Sequence, residues 1–246
     1  MPRLLVVNPN TSASVTDLLQ RRLQAQAARA DAGLQVKTVT ARFGAPYVAC
    51  EASYAVAQHA VLDAWAAALA HGDRPDAVLI GCFGDPGLFA LRSGAGVPVS
   101  GLAEAAFAAA ARHGRFAVVT GGAAWAPMLE RLAHALGRTA ELAGIHTVAP
   151  SGAQLAADPA GARALLAEAC REAAERFDAR AVILGGAGLA GMGADIADQV
   201  PVPVVDSVDA AAEWALEAVR EPGAVRGAPG FGIAWQSVSW ELEALR

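Results

Sequence analysis

Cysteine is scarce in this chain of 246 residues: Cys50, Cys82 and Cys170 are the only three, and no two form a C-x-x-C pair. That excludes a disulfide scaffold or a thiolate metal cage and fits a reducing compartment. Charge is also sparse. Charged residues make up 17% of the chain, and 19 basic against 24 acidic side chains leave a net charge of −5. Without a lysine/arginine stripe, no nucleic-acid partner is expected. No apolar run of about 18 residues escapes a charge or a glycine cluster, so no membrane partner is expected either. Met1-Pro2-Arg3 leads directly into the strand-like Leu4-Leu5-Val6-Val7 with no signal-type apolar region, and a cytoplasmic protein is expected. His59, His71, His113, His134 and His146 are scattered, none paired at metal-ligand spacing, so no metal is expected. G-x-S-x-G and Walker sequences are both missing.

What the chain has in quantity is apolar sequence, 54% of its residues. Short apolar runs at 3–7, 34–40, 76–81, 97–100, 115–120, 144–148, 180–184 and 202–206 read as strands. Alanine-rich stretches near 14–31, 51–71, 101–113, 124–137, 159–177 and 207–220 read as helices between them. This alternation predicts an α/β fold with parallel sheets. The two halves also repeat. Ala77-Val78-Leu79-Ile80-Gly81-Cys82 matches Ala181-Val182-Ile183-Leu184-Gly185-Gly186, and Val97-Pro98-Val99-Ser100 matches Val202-Pro203-Val204-Val205. We expect two Rossmann-like lobes, each a four-stranded parallel sheet flanked by helices, related by a pseudo-twofold axis. Residues 1–98 with 207–246 would form the first lobe and residues 99–206 the second. Open α/β sheets bind ligands beyond the carboxyl ends of their strands. Loops 8–12, 82–87, 120–125 and 185–192 should therefore line one shared site. The apolar, alanine-rich helices suggest a homo-oligomer.

Cys82 follows a buried strand and precedes Phe83-Gly84-Asp85-Pro86-Gly87. With Asp85 as N-cap and Pro86 as first helical residue, it would lie at a helix N-terminus, where partial positive charge favours thiolate. A small core cysteine is the alternative. The amides of Phe83 and Gly84 could bind an oxyanion or enolate beside the sulfur. Asn8-Pro9-Asn10-Thr11-Ser12 suits a carboxylate or ureide, or simply caps a helix through Ser12 or Ser14, and Thr120-Gly121 is its counterpart in the second half. Cys50 and Cys170 read as inert. Gly186-Ala187-Gly188-Leu189-Ala190-Gly191, with Asp206 ending the next strand, fits a dinucleotide fingerprint, but no long helix follows it.

Val7-Asn8-Pro9-Asn10-Thr11-Ser12, Gly81-Cys82-Phe83-Gly84-Asp85-Pro86-Gly87-Leu88 and Leu184-Gly185-Gly186-Ala187-Gly188-Leu189 together resemble the aspartate/glutamate/hydantoin racemase superfamily, with the hydantoin and allantoin racemases as the closest branch. The resemblance spans residue 3 to about 215. It implies a cofactor-independent isomerase acting on a small molecule such as a hydantoin, allantoin or an amino-acid-like carboxylate. Two cysteines on opposite faces of the substrate would remove and return the proton α to a carbonyl. By motif the first is Cys82, and the second falls on Gly186. Asn8, Asn10, Thr11, Ser12, Phe83, Gly84, Thr120, Gly121, Ala187 and Gly188 would hold the substrate. Inversion needs an acid and a base on opposite faces, so a lone thiol predicts exchange with impaired inversion, restored by Gly186→Cys. Decarboxylation or cis–trans isomerisation through one cysteine, and a non-catalytic binder, are the other readings.

Overall fold

The computed structural model describes residues 1–149, 154–155, 158–220 and 227–245. The first half runs β1 (Arg3–Asn8), α1 (Ala13–Arg29), β2 (Gln35–Thr40), α2 (Glu51–Ala70), β3 (Ala77–Ile80), α3 (Leu88–Gly94), β4 (Val99–Gly101) and α4 (Leu102–Ala111). The second runs β5 (Phe116–Gly121), α5 (Trp125–Ala135), β6 (Leu142–Val148), α6 (Pro159–Arg176), β7 (Ala181–Gly185), α7 (Met192–Ile196), β8 (Val204–Asp206) and α8 (Ser207–Arg220), and α9 (Trp240–Glu243) closes the chain. All strand pairs are parallel, in two four-stranded sheets ordered β2-β1-β3-β4 and β6-β5-β7-β8. The same order in both sheets is the topological form of the sequence repeat.

The inner strands β1, β3, β5 and β7 are near-continuous apolar runs because both faces of each sheet are covered there. Leu4, Val6, Ala77 and Leu79 point to one side, with Leu19 and Leu23 of α1. Leu5, Val7, Val78 and Ile80 point to the other, with Val61 and Trp65 of α2 and Leu88 and Leu91 of α3. This is the period-2 alternation of a strand. In the second sheet Ala117, Val119, Val182 and Leu184 meet Leu166, Cys170 and Ala173 of α6. Its opposite side, Phe116, Val118, Ala181 and Ile183, belongs to the same buried cluster as Leu4 and Val6. The lobes are joined there by α4, whose Phe107 lies 5.4 Å from Phe116 and 6.2 Å from Phe83, centroid to centroid.

The expected boundary between residues 98 and 99 does not hold for the sheets. β4 pairs with β3 through Val78–Val99, Leu79–Ser100 and Ile80–Gly101, so the first sheet keeps residues 99–101. The C-terminal residues lie against the first lobe: Arg22 pairs with Asp209 at 2.9 Å, Arg42 with Glu241 at 2.7 Å, and Phe231 packs edge-on to Trp65. The short helices α7 and α9 carry no periodic signal long enough to read, while α3 is the helix expected after Asp85, beginning two residues later than Pro86. No helix among the described residues is long and apolar enough to cross a membrane.

Candidate active site

A cavity of about 400 Å³ opens between the lobes at the carboxyl ends of β1, β3, β5 and β7. Cys82, Phe83, Asn10, Ser12, Thr120, Gly121, Gly186, Ala187 and Gly188 all line it. Asn8, Thr11 and Gly84 do not. Asn8 is fully buried and builds the loop instead: its Nδ2 donates toward Asn10 Oδ1, the Ser12 carbonyl and Thr16 Oγ1, and its Oδ1 accepts from the Asn10 amide. Thr11 donates its amide to the Ala45 carbonyl at 3.1 Å, tying this loop to the segment before α2. That segment supplies Pro46, Tyr47 and Val48 to the cavity, and α1 supplies Ser14, Val15, Leu18 and Arg21. Neither contribution was anticipated. Residues 41–50 lie between a strand and a helix without a recognisable motif, and the α1 residues fall on an ordinary helical turn. Ser12 occupies the N-cap of α1 but makes no side-chain capping bond, and its hydroxyl pairs with Ser14 at 2.9 Å.

Two aromatic rings close the lobes on each other beside Cys82. Phe83 of the first lobe lies on Gly185 of the second, where a β-carbon would come within 2.2 Å of the ring. Trp125 of the second lobe lies on Gly84 of the first, at 2.3 Å by the same measure. Gly84 and Gly185 therefore serve close approach of an aromatic face. Tyr54 Oη donates to the Gly84 carbonyl at 2.8 Å and its ring sits edge-on to Trp125. Thr120 Oγ1 donates to the Gly185 carbonyl at 2.8 Å, fixing the second-lobe rim.

The electrostatics of Cys82 differ from the sequence reading. The sulfur-bearing residue is 8% exposed, and burial, with the nearby Asp85 carboxylate, pushes its pKa up, not down. The expected helix start at Pro86 is absent. Asp85 has φ +51°, α3 begins at Leu88 behind Gly87, and the Asp85 carboxylate caps α4 instead, accepting from the amides of Ala103 at 2.9 Å and Glu104 at 2.7 Å. Burial lifts the Asp85 pKa to about 7, although the amides of Ala103, Glu104 and Gly84 draw it down. Cys50 is exposed at the head of α2, the helix start its sequence suggests, and hydrogen bonding to Ser53 lowers its pKa. Cys170 is buried in the second core.

Gly186 lies across the cavity on the second lobe. A β-carbon there would meet only Leu189, at 3.4 Å, but φ is +149°, which an L side chain rarely adopts. Space for a thiol exists while the local backbone opposes one. The glycine-rich run 186–191 does not open a long helix, and Asp206 is occupied. Its carboxylate accepts from the amides of Gly191, Val208 and Asp209, capping α8. The dinucleotide fingerprint therefore has no ribose-binding acid. Among the described residues no group of three histidine, cysteine, aspartate or glutamate side chains is arranged to hold a metal.

The Asp/Glu/Hydantoin racemase family model matches residues 4–215. Hydantoin racemase of Paenarthrobacter aurescens is 31% identical over 214 residues, 85% of this chain and 87% of that protein. The crystal structure of allantoin racemase from Pseudomonas fluorescens superposes with a TM-score of 0.82 at 30% identity, covering 89% of this chain and 91% of the other. Allantoin racemase from Klebsiella pneumoniae gives 0.83 at 28% identity, over 100% and 99%. The chain belongs to the Asp/Glu/hydantoin racemase family.

Proposed function

We propose that this racemase-family enzyme removes the α-proton of a five-membered ureide, a hydantoin or allantoin, with Cys82 as the base and without a cofactor. The observation that carries this reading is the position of Cys82: the thiol lies two residues past the end of β3 at the wall of the interlobe cavity, with the 186–188 loop on the other side. A ring carbonyl set beside the Phe83 amide, with Asn10, Ser12 and Thr120 around the ring, lets charge flow onto oxygen as the proton leaves. Val15, Leu18, Pro46, Val48 and Trp125 give the rest of the cavity an apolar wall suited to a hydrocarbon substituent on the ring. The thiol starts neutral, since burial and Asp85 both oppose its charge. The reaction should therefore accelerate with rising pH. The test is proton NMR in heavy water with the separate enantiomers of 5-isobutylhydantoin and of allantoin. Deuterium should enter the α-carbon, and Cys82→Ser should reduce the rate by at least about 100-fold, the lower end of what a general base contributes. Exchange that persists unchanged in Cys82→Ser overturns the assignment.

A further inference from the structure

We propose that Tyr47 is the second proton-transfer residue, placing its phenol on the substrate face opposite Cys82, where Gly186 offers no side chain. The inference rests on the thiol reading above and adds its missing partner. Side chains that move protons in enzymes are chiefly histidine, carboxylates, lysine, tyrosine and cysteine. Of the described residues lining the cavity, only Cys82 and Tyr47 belong to that set. Arg21, on α1 of the first lobe, also lines the cavity but is outside that set.

The position of the hydroxyl decides the matter. Tyr47 springs from the first lobe, in the segment between β2 and α2, yet its Oη donates to the Gly121 carbonyl of the second lobe at 3.3 Å. It also lies 3.9 Å from where a β-carbon on Gly122 would stand. Gly121 and Gly186 directly follow Thr120 and Gly185, which are register partners on the adjacent strands β5 and β7. The phenol thus reaches the same second-lobe rim that carries Gly186. At 3.3 Å its bond to the carbonyl is long, and the proton can be redirected to a substrate carbon. Pro46 and Val48 flank it on the cavity wall, and the Thr11–Ala45 backbone bond anchors the segment.

The step balances with these groups alone. The Cys82 thiolate takes the α-proton, breaking C–H and forming S–H, and the electron pair moves onto the ring carbonyl. The enolate carbon then takes the proton of Tyr47 on its other face and leaves a phenolate. Solvent carries the proton from the thiol back to the phenolate. In the reverse direction the phenolate abstracts and the thiol donates.

Tyr47→Phe keeps the ring and removes only the hydroxyl, so packing is preserved. With each enantiomer of 5-isobutylhydantoin in heavy water, inversion is followed by circular dichroism and α-deuteration by NMR. Inversion by Tyr47→Phe should fall at least about 100-fold. Deuteration of the enantiomer whose proton faces Cys82 should continue at the same order of magnitude with retained configuration, because the thiol still exchanges with solvent. Three results overturn the proposal: inversion unchanged in Tyr47→Phe, inversion and deuteration reduced by the same factor, or an unaltered protein that deuterates without inverting. All three leave Cys82-dependent exchange intact in the unaltered protein. Absence of that exchange is instead the failure of the thiol reading, and the role of Tyr47 falls with it.

Discussion

Cys82 and Cys50 are shifted in opposite directions by their surroundings. Cys82 stands after a buried strand before a loop rich in glycine, a context that promises free amides and a stabilised thiolate. Burial removes the water that would solvate the anion, Asp85 adds a like charge, and α3 starts too late to compensate. Cys50, without a motif, is exposed and hydrogen bonded to Ser53, which favours its thiolate. In a Cys50→Ala background, iodoacetamide should modify Cys82 more slowly at neutral pH than a free thiol of pKa about 8.5. The rate should keep climbing through the alkaline range, followed by mass spectrometry of the Cys82 peptide. A rate that levels off at or below neutrality would mean that the thiolate is stabilised after all.

At the scale of elements, the two sheets solve one capping problem in two ways. β4 and β8 hold the same register place, Ile80 opposite Gly101 and Leu184 opposite Asp206. In the second lobe Asp206 caps its own following helix, α8. In the first lobe Gly101 has no side chain, and Asp85 reaches from the preceding loop to cap α4. Burial makes the Asp85 proton hard to remove. With a folded-state pKa of about 7 against about 3.9 for an unfolded aspartate, its contribution to stability is fully present below the unfolded value and is lost as pH rises through the folded one. Asp85→Asn cannot ionise, so the fall in melting temperature between about pH 4 and pH 8 should flatten in the variant. Below about pH 4 the variant should be the less stable protein, by about 1–3 kcal/mol, since its amide replaces an acceptor facing the α4 N–H groups, and the gap should close as pH rises. A pH slope equal to that of the unaltered protein would show that Asp85 does not titrate there. The sequence did contain this capping aspartate; reading it as the cap of the next residues failed because the chain turns at Asp85 with positive φ.

At the scale of the molecule, the lobes are two sheets on one shared core. The cluster containing Leu4 and Val6 continues through Phe107 to Phe116, Val118 and Ile183 without a polar break. Phe107 is fully buried at that junction. Phe107→Ala should cost about 3–5 kcal/mol, the usual price of removing a buried phenylalanine. Urea unfolding should remain one transition, with tryptophan fluorescence and far-ultraviolet circular dichroism shifting together. Separation of the two probes, one lobe melting before the other, would mean that the lobes fold independently.

The sequence by itself determined the strands, their order of appearance, the repeat and the glycine motifs that end β3 and β7, because these are encoded by short-range apolar patterning and by residues a few positions apart. It also carried Cys82 and Gly186 to opposite sides of one cavity through the repeat alone. Only the tertiary structure decided that Trp125 lies on Gly84, that Asp85 caps α4, that burial opposes ionisation of Cys82, and that Tyr47 extends to Gly121, 74 residues away. Those relations depend on solvent exclusion and on contacts between segments that meet only once both sheets have packed, and no local pattern of side chains records them.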